Sequence, residues 1–492
     1  MCKCGNQLFK SFLSIVVVAI SIGMLEFCCG KKEQNPVLAK FDGGTVLENE
    51  YVDHYLLSTK YKPEVFPTEE NLKEIVTKKA LEKMAVKEAL AKGLDKDSTY
   101  QETVRRQTSK IVFYRYMQKE MISKVITDSL IKEFYDHYSP QYHLRYIIRP
   151  VVKTSTPQFE RTQKDTIEFV YRLLKSGKKF EDLANKYSQD ITTNQKGGDL
   201  GFVIRESLGD EQLRAVMDTL RDFTYSRPFR GYEGYYILYK GEKRIVPVPP
   251  LEQVKDKIWK TLYRTRRHRI QQQVDKRFAM LKEKYHYQFF ENVRSEILAK
   301  AGADASTLAY QLLNFSGLDD GDRAKVLARY DGGAISVAEL FEDRKREPEY
   351  MREFDDRFTE IAEQHLLAKH ALELGLQNDA EIVAQIALMK ESLLRSNLMQ
   401  QMIMNQVEAK VDSLKSALAS QLKSEELKST ITKKRFEIEK ELKQQFDAEM
   451  MEKYRFRFVV KNFPSSLEKA RLRKEEQNQK TAKEKDGNKQ TR

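Results

Sequence analysis

The stretch "SQDITTNQKGGDLGF", Ser188 to Phe202, places three glycines around one aspartate and one leucine. Glycine is the preferred residue where φ is positive or where another backbone segment comes close. Gly-Gly by itself predicts only an ordinary turn into a strand. The role of this loop therefore depends on the elements that surround it.

The region around the loop, residues 141–243, has strand-like alternation at both ends and helical periodicity between them. The proline-rich linker "VPVPPLEQ" follows it, and then a basic helix. The predicted elements are a strand at Tyr142–Arg149, helices at Asp165–Ser176, Phe180–Tyr187 and Glu211–Thr219, a strand at Tyr235–Tyr239, and the basic helix at Val254–Tyr285.

The composition favours a mainly helical, multidomain protein. A length of 492 residues suggests about three domains, and only 21 Gly and 12 Pro accompany abundant Lys, Glu, Leu and Ala. The net charge is +13, but acids and bases are interleaved, as in "KALEKMAVKEALAK", which is typical of solvated helix faces. Zinc-finger spacing, phosphate loops and recognition-helix patterns are absent from the sequence. We therefore expect neither nucleic acid nor a nucleotide as a partner, and no cofactor or metal.

The N-terminus has the organisation of an export signal. Lys3 and Lys10 precede the apolar run Ser11–Leu25, and Cys28 and Cys29 follow it. The run is short for a membrane-spanning helix, which needs about 20 residues. The segment resembles a bacterial lipoprotein signal peptide, whose cysteine is lipidated after cleavage.

The lipidated cysteine is predicted to be Cys29, with Cys28 as the alternative. Lipoproteins prefer a small residue directly before the cysteine, and Cys28 has the bulky Phe27 there. They also prefer an aliphatic residue at the third position before the cysteine, and Cys29 has Glu26 there. An uncleaved anchor, or a cleaved signal without lipid, are the other interpretations. We expect a signal peptide at 1–29 and a periplasm-facing, membrane-anchored location in the cell envelope.

The chain also contains an internal duplication. Order and spacing are preserved between the matching segments, which predicts two copies of one domain and not a solenoid. Each copy is predicted to begin with a short strand and an Asp-Gly-Gly turn, and to continue with long amphipathic helices. The matches are "VLAKFDGG" (37–44) with "VLARYDGG" (326–333), "KEALAKGL" (87–94) with "KHALELGL" (369–376), and "YHLRYIIR" (142–149) with "YRFRFVVK" (454–461).

The glycine loop and its neighbours resemble the parvulin class of peptidyl-prolyl isomerases. The motifs that carry the resemblance are "FEDLANKYSQD", "GGDLGF", "SRPF" and "GYYILYKGEKR". The N-terminal "VLAKFDGGTVLENEYVDHY" and the helices beside it resemble exported folding chaperones of the SurA and PrsA type. The resemblance covers Val37 to Tyr285, and reaches the second half only through the duplication.

The resemblance implies a mainly α (α+β) fold, in which duplicated helical chaperone arms with short strands flank one parvulin-like α+β domain. The expected domains are the signal peptide at 1–29, a helical chaperone domain at 30–140, the parvulin-like domain at 141–243, a linker and long basic helix at 244–290, a second chaperone copy at 291–464, and a disordered charged tail at 465–492.

The resemblance also assigns candidate site residues. Asp190 lies at the position of the parvulin Asp or Cys, and Tyr146 and Tyr236 occupy the positions of the two usual histidines. Leu200, Leu208 and Leu213 are expected to line the proline pocket. Strand alternation places His143 on the face opposite Tyr146, and His365 and His370 are interpreted as single surface residues.

The X-Pro isomerisation barrier of about 18–20 kcal/mol reflects the partial double bond of the amide, so its catalysis needs neither nucleophile nor metal. The two tyrosines weaken the polar cluster that parvulins use. Three hypotheses follow: an exported parvulin isomerase, a catalytically inactive holdase for unfolded or nascent exported proteins, and a structural envelope lipoprotein. We favour an isomerase-family chaperone with weak or absent activity, attached to the membrane by its N-terminal lipid.

Overall fold

The computed structural model describes residues 35–151, 155–303, 312–342, 346–418 and 423–489. The predicted signal peptide, with Cys28 and Cys29, lies outside these residues. The helices are α1 (Glu48–Ser58), α2 (Glu69–Ala91), α3 (Ser98–Tyr116), α4 (Ser123–Val125), α5 (Asp128–Asp136), α6 (Pro157–Lys175), α7 (Phe180–Tyr187), α8 (Glu211–Thr219), α9 (Leu251–Thr265), α10 (Arg267–Lys284), α11 (Glu291–Lys300), α12 (Asp320–Ala324), α13 (Met351–Glu373), α14 (Ala380–Met399), α15 (Asn405–Leu418), α16 (Ser424–Lys453) and α17 (Phe463–Lys489).

The strands are short and antiparallel. They are β1 (Val37–Phe41), β2 (Gly44–Leu47), β3 (Gln141–Pro150), β4 (Asp199–Val203), β5 (Thr224–Tyr225), β6 (Phe229–Arg230), β7 (Gly234–Arg244), β8 (Gln288–Phe289), β9 (Val326–Tyr330), β10 (Gly333–Ser336) and β11 (Arg457–Phe458). This arrangement confirms the predicted mainly α (α+β) class. Among the residues described, no helix is long and apolar enough to cross a membrane.

The chain divides into two compact units. Of the described residues, the first contains those in 35–116 and 285–486, and the second contains those in 117–284 together with 487–489. Both copies of the duplication thus contribute to the first unit. The predicted domain boundaries themselves stay a prediction.

The second unit is built on a sheet with strand order β4-β3-β7-β5, to which β6 adds by pairing with β7. Side-chain alternation along β3 separates two cores. Ile147 faces a core with α6 and α7, whereas Leu144 and Ile148 face a core with α8. Helix α6 begins where the Thr156 side chain accepts from the Phe159 amide (3.2 Å) and Pro157 starts the first turn. The sheet therefore presents one face to α8, and this face carries the candidate site.

The first unit exchanges elements between the two repeat copies. The β1–β2 hairpin of the first copy pairs with β11 near the C-terminus, whereas the β9–β10 hairpin of the second copy pairs with β8. The helices are exchanged in the same way, since α13 packs against α3, and α14 packs against α2. Each hairpin is thus completed by a strand that follows the helices of the other copy.

The backbone contacts of the two hairpins repeat closely. The Asp42 amide donates to the Tyr454 carbonyl (2.7 Å), and the Asp331 amide donates to the Tyr285 carbonyl (2.9 Å). The structure therefore pairs the segment at Tyr285, and not the one at Tyr142, with the segment at Tyr454. The strand predicted at Tyr454–Lys461 is real but short, with two residues in β11.

Helix α17 replaces much of the tail that the sequence predicted to be disordered. Its low hydrophobicity suggested disorder, but polar side chains fix it to α1. The Ser466 hydroxyl donates to the Glu48 carboxylate (2.6 Å), and the wholly buried Lys474 ammonium donates to the Thr59 carbonyl (2.5 Å). These hydrogen-bond partners lie more than 400 residues away in the chain, so a local sequence pattern could not reveal them.

Candidate functional site

The glycine loop has a conformation that only glycine adopts without strain. Gly197, Gly198 and Gly201 have φ values of +65°, +76° and +68°. A Cβ atom on Gly198 would lie 2.3 Å from the Tyr146 carbonyl oxygen. The Tyr146 amide donates to the Gly198 carbonyl (3.0 Å), which joins the loop to β3. The glycines therefore serve backbone geometry at the base of the site.

The carboxylate of Asp190, at the start of this loop, accepts hydrogen bonds from four donor groups. The Tyr146 hydroxyl donates to Oδ2 (2.5 Å), and the Thr193 hydroxyl donates to the same oxygen (2.7 Å). The Thr192 amide and hydroxyl donate to Oδ1 at 3.0 and 2.8 Å. Hydrogen-bond donors of the protein therefore occupy both oxygens of the Asp190 carboxylate.

The pKa values of this pair move apart. Burial would raise the pKa of Asp190, but the hydrogen bonds from Tyr146, Thr193 and Thr192 outweigh it, so the pKa is lowered. Burial first, and then the bond and charge of Asp190, raise the pKa of Tyr146 well above its usual value. At neutral pH the pair consists of an ionised carboxylate and a neutral phenol.

Tyr236 lies beside this pair and is buried in the apolar cluster. Its ring meets that of Tyr146 edge to face, with centroids 5.9 Å apart. Burial, followed by the charge of Glu233, raises the pKa of Tyr236 far above the usual range. Tyr146 and Tyr236 are therefore adjacent neutral phenols, as the resemblance implied for the two histidine positions.

The predicted pocket residues belong to one cluster with the two tyrosines. Leu208 and Leu213 are buried members, and Leu200 is a partly buried member. Two further members were not predicted as site residues, Met217 and Phe229. Met217 lies one helical turn after Leu213, and Phe229, which stacks on Tyr236 with centroids 5.7 Å apart, belongs to the motif "SRPF". Helical spacing and that motif could have identified both.

Two acidic residues at the rim also went unpredicted. Asp210 caps α8 by accepting from the Gln212 amide (2.8 Å) and also accepts from the Tyr232 amide. Partial desolvation, and then the charges of Asp210 and Asp190, raise the pKa of Glu233. No ion-pair partner is present for Asp190, Asp210 or Glu233 among the residues described.

The other histidines lie away from this cluster. The His143 Nε2 lies 3.0 Å from the Asp199 carboxylate and its ring packs edge to face on Phe202, consistent with a position apart from Tyr146. The interpretation of His365 as a single surface residue is wrong, because its Nε2 lies 2.7 Å from the Glu339 carboxylate and its Nδ1 lies 3.0 Å from the Tyr330 hydroxyl.

The interpretation of His370 is wrong for the same reason. It is half-buried, and its ring packs edge to face on Tyr116 with centroids 5.7 Å apart. Its Nδ1 lies 3.4 Å from the Tyr285 hydroxyl. Helical periodicity alone could not reveal these contacts, because the partners belong to distant segments.

The geometry agrees with similarity to known proteins. The family description of the PPIC-type PPIase (rotamase) domain matches residues 147–242. Foldase protein PrsA of Bacillus subtilis is 28% identical over 252 residues, which cover 48% of this chain and 77% of the relative. Chaperone SurA of Pseudomonas fluorescens is 33% identical over 98 residues, which cover 20% of this chain and 22% of the relative.

A solved structure of the peptidylprolyl isomerase PrsA from Bacillus anthracis is 18% identical, with a TM-score of 0.25, and the match covers 42% of this chain and 96% of that one. The match to the isomerase domain includes Tyr146's strand neighbours, the glycine loop and Tyr236. The chain therefore contains a parvulin domain of the PPIC type and is homologous to the PrsA foldases and the SurA chaperones.

Proposed function

We propose that this protein is an exported, membrane-anchored folding chaperone that binds unfolded envelope or secreted proteins. Its parvulin domain binds X-Pro segments in the apolar pocket, and its isomerase activity is low. Homology to PrsA and SurA supports the chaperone assignment. The N-terminal export signal supports the location.

The prediction of low isomerase activity rests on the polar cluster, in which Tyr146 and Asp190 are hydrogen-bonded to each other. The Tyr146 hydroxyl has one proton to donate, and it points to Asp190 at 2.5 Å. A catalyst of amide rotation must favour the twisted amide over the planar one, with polar groups that are oriented toward the substrate. Because Asp190 and Tyr146 satisfy each other, they offer less to a substrate than free groups would.

The first unit offers a candidate surface for unfolded clients on α14. Val383 and Leu388 are 51% and 64% exposed there. The repeat aligns them with Gln101 and Arg106 on α3, which are polar. Exposed apolar side chains on a helix suit contact with unfolded chains, and the partly buried Met399 and Met402 lie at and just beyond the C-terminal end of α14.

The test replaces this apolar surface with the residues of the other copy. We expect Val383→Gln with Leu388→Arg to weaken suppression of aggregation of an unfolded outer-membrane protein. The matched control is Glu391→Gln, also exposed on α14. Equal suppression by the double variant and the unmodified protein would remove α14 from the client surface.

Membrane attachment has a separate test. Mass spectrometry of the mature protein should detect an N-terminal lipidated cysteine, Cys29 or Cys28. An intact Met1 in the mature protein would contradict both export processing and lipidation.

A catalytically inactive holdase is the second candidate, and the same tyrosine cluster favours it. The two candidates differ in one observable, which is whether the rate of X-Pro isomerisation rises above the uncatalysed rate.

A further inference from the structure

Two loops of the second unit border the candidate proline pocket. One is residues 205–211, which carries Leu208, and the other is residues 229–233, which begins with Phe229. The Asp210 carboxylate accepts from the Tyr232 amide and thereby joins the loops at one point.

The junction between α9 and α10, residues 265–269, reaches the first loop with a buried arginine. Arg266 is 3% exposed, and its Nη1 lies 3.5 Å from both the Leu208 and Gly209 carbonyl oxygens. Its Nη2 lies 3.9 Å from the carboxylate of Glu206, which is 1% exposed. A buried guanidinium is retained at low cost only with such partners, so Arg266 ties the junction to the backbone that presents Leu208.

The same junction also contacts the second loop and the rim. The His268 and Tyr232 rings pack with centroids 4.3 Å apart, and Arg269 forms an ion pair with Glu211. Gly209 approaches so closely that an added Cβ would lie 3.0 Å from the Thr265 carbonyl oxygen. One short segment therefore contacts both loops that border the pocket.

We propose that residues 265–269 form a clasp that positions the two pocket loops, with Arg266 as a positioning residue for Leu208. The clasp lies outside residues 147–242, which match the isomerase family, so it is an addition of the helices that follow the domain. The pocket is then complete only when α9 and α10 are docked. This inference rests on the proposed binding of X-Pro segments in the pocket.

The experiment measures hydrogen exchange of backbone amides in the full-length protein. Arg266→Met should speed exchange in 205–211 and 229–233 by roughly fivefold or more, because a local contact worth about 1 kcal/mol is lost. Strands β3 and β7 should exchange as before. The matched control is Arg264→Met, an exposed arginine of α9, which should change neither loop.

A second variant tests the proposal independently, in case Arg266→Met fails to fold. His268→Ala with Arg269→Ala removes half-buried contacts of the clasp and leaves Arg266 in place. This double variant should also speed exchange in both loops. Arg269→Lys, made alone, keeps a positive charge beside Glu211 and should leave the exchange at Glu211 as slow as in the unmodified protein. Unchanged exchange in both loops for the double variant would overturn the clasp, as would equal acceleration throughout the sheet.

Binding of a proline tetrapeptide separates the clasp from the proposed function. If the peptide binds, its dissociation constant should rise about fivefold in the clasp variants and stay the same in Arg264→Met. If the unmodified protein does not bind the peptide, the proposed pocket function fails, and loop exchange still decides the clasp. A dissociation constant that is unchanged while loop exchange accelerates would overturn the role of the clasp in positioning Leu208.

Discussion

Removal of one hydroxyl group from the candidate site should measurably destabilise the second unit. Tyr146→Phe deletes the 2.5 Å hydrogen bond to the Asp190 carboxylate and leaves the ring in place. A hydrogen bond to a charged group contributes about 1.5–3 kcal/mol. Asp190 keeps its bonds from Thr192 and Thr193, so the lower part of this range applies, and we expect a loss of about 1.5–2 kcal/mol.

Trp259 is the only tryptophan of the chain and lies on α9 in the second unit, so its fluorescence during urea denaturation reports the unfolding of this unit. The matched control is Tyr142→Phe. Tyr142 belongs to the same strand and cluster, and among the described residues its hydroxyl has no hydrogen-bond partner. Its loss should change the free energy of unfolding by less than about 0.5 kcal/mol.

The pH dependence provides a further check. Because the pKa of Asp190 is lowered in the folded protein, its contribution to stability is complete above the ordinary Asp pKa of about 3.9 and is lost as pH falls through the lower folded value. The difference between Tyr146→Phe and the unmodified protein should therefore stay constant from about pH 5 to pH 8. An equal effect of Tyr142→Phe, or a Tyr146→Phe effect that persists unchanged in an Asp190→Ala background, would refute the reasoning.

Three further outcomes are expected. Gly198→Ala should cost about 2–4 kcal/mol, because it adds a backbone clash to a positive φ, whereas Gly177→Ala, with φ +89° and open space, should cost about 1–2 kcal/mol in thermal unfolding. Because the pKa of Glu233 is raised in the folded protein, its ionisation lowers the free energy of unfolding as pH rises from about 4.5 to the folded pKa. Glu233→Gln should remove this part of the decline, and pH profiles of the unfolding free energy that run parallel for the two proteins would contradict the prediction. Tyr454→Phe and Tyr285→Phe should each lower the unfolding free energy by about 1–2 kcal/mol in calorimetry, because each loses an equivalent bond to a glutamate (2.9 and 2.7 Å); a loss in only one would argue against equivalent roles.

Much of the second unit could be predicted from local sequence signals. The bounds of α7 and α8 agree with the prediction because each helix has its own apolar stripe, and α8 also begins at the capping residue Asp210. The convergence of Tyr146, Tyr236 and Leu208 also agrees with the motif order, since strand alternation fixes which side chains share a face. Periodicity was sufficient for the helices, whereas the site positions Tyr146, Tyr236 and Leu208 came from the resemblance to the parvulins.

The exchange in the first unit could not be predicted in this way. Strand β1 pairs with β11, and a period-two pattern specifies which face of a strand is buried but not which strand lies beside it. Helix α17 was missed because its apolar residues are few, although Phe463 and Ala470 are buried. Its polar anchors, Ser466 and Lys474, bind Glu48 and Thr59, which are more than 400 residues away in the chain. The Arg266 clasp left no local signal, because its buried guanidinium is in a strongly charged stretch.

The central claim is that client binding persists in this protein while prolyl isomerisation is weak. The decisive measurement compares the isomerisation rate of a proline tetrapeptide, catalysed by the full-length protein, with that of the Tyr146→His, Tyr236→His variant, alongside aggregation suppression of an unfolded outer-membrane protein. We predict a low rate for the unmodified protein, a rate increase of roughly tenfold in the variant, equivalent to about 1.4 kcal/mol of transition-state stabilisation, and equal suppression by both. An unmodified protein that already isomerises the peptide as fast as an ordinary parvulin would contradict the claim.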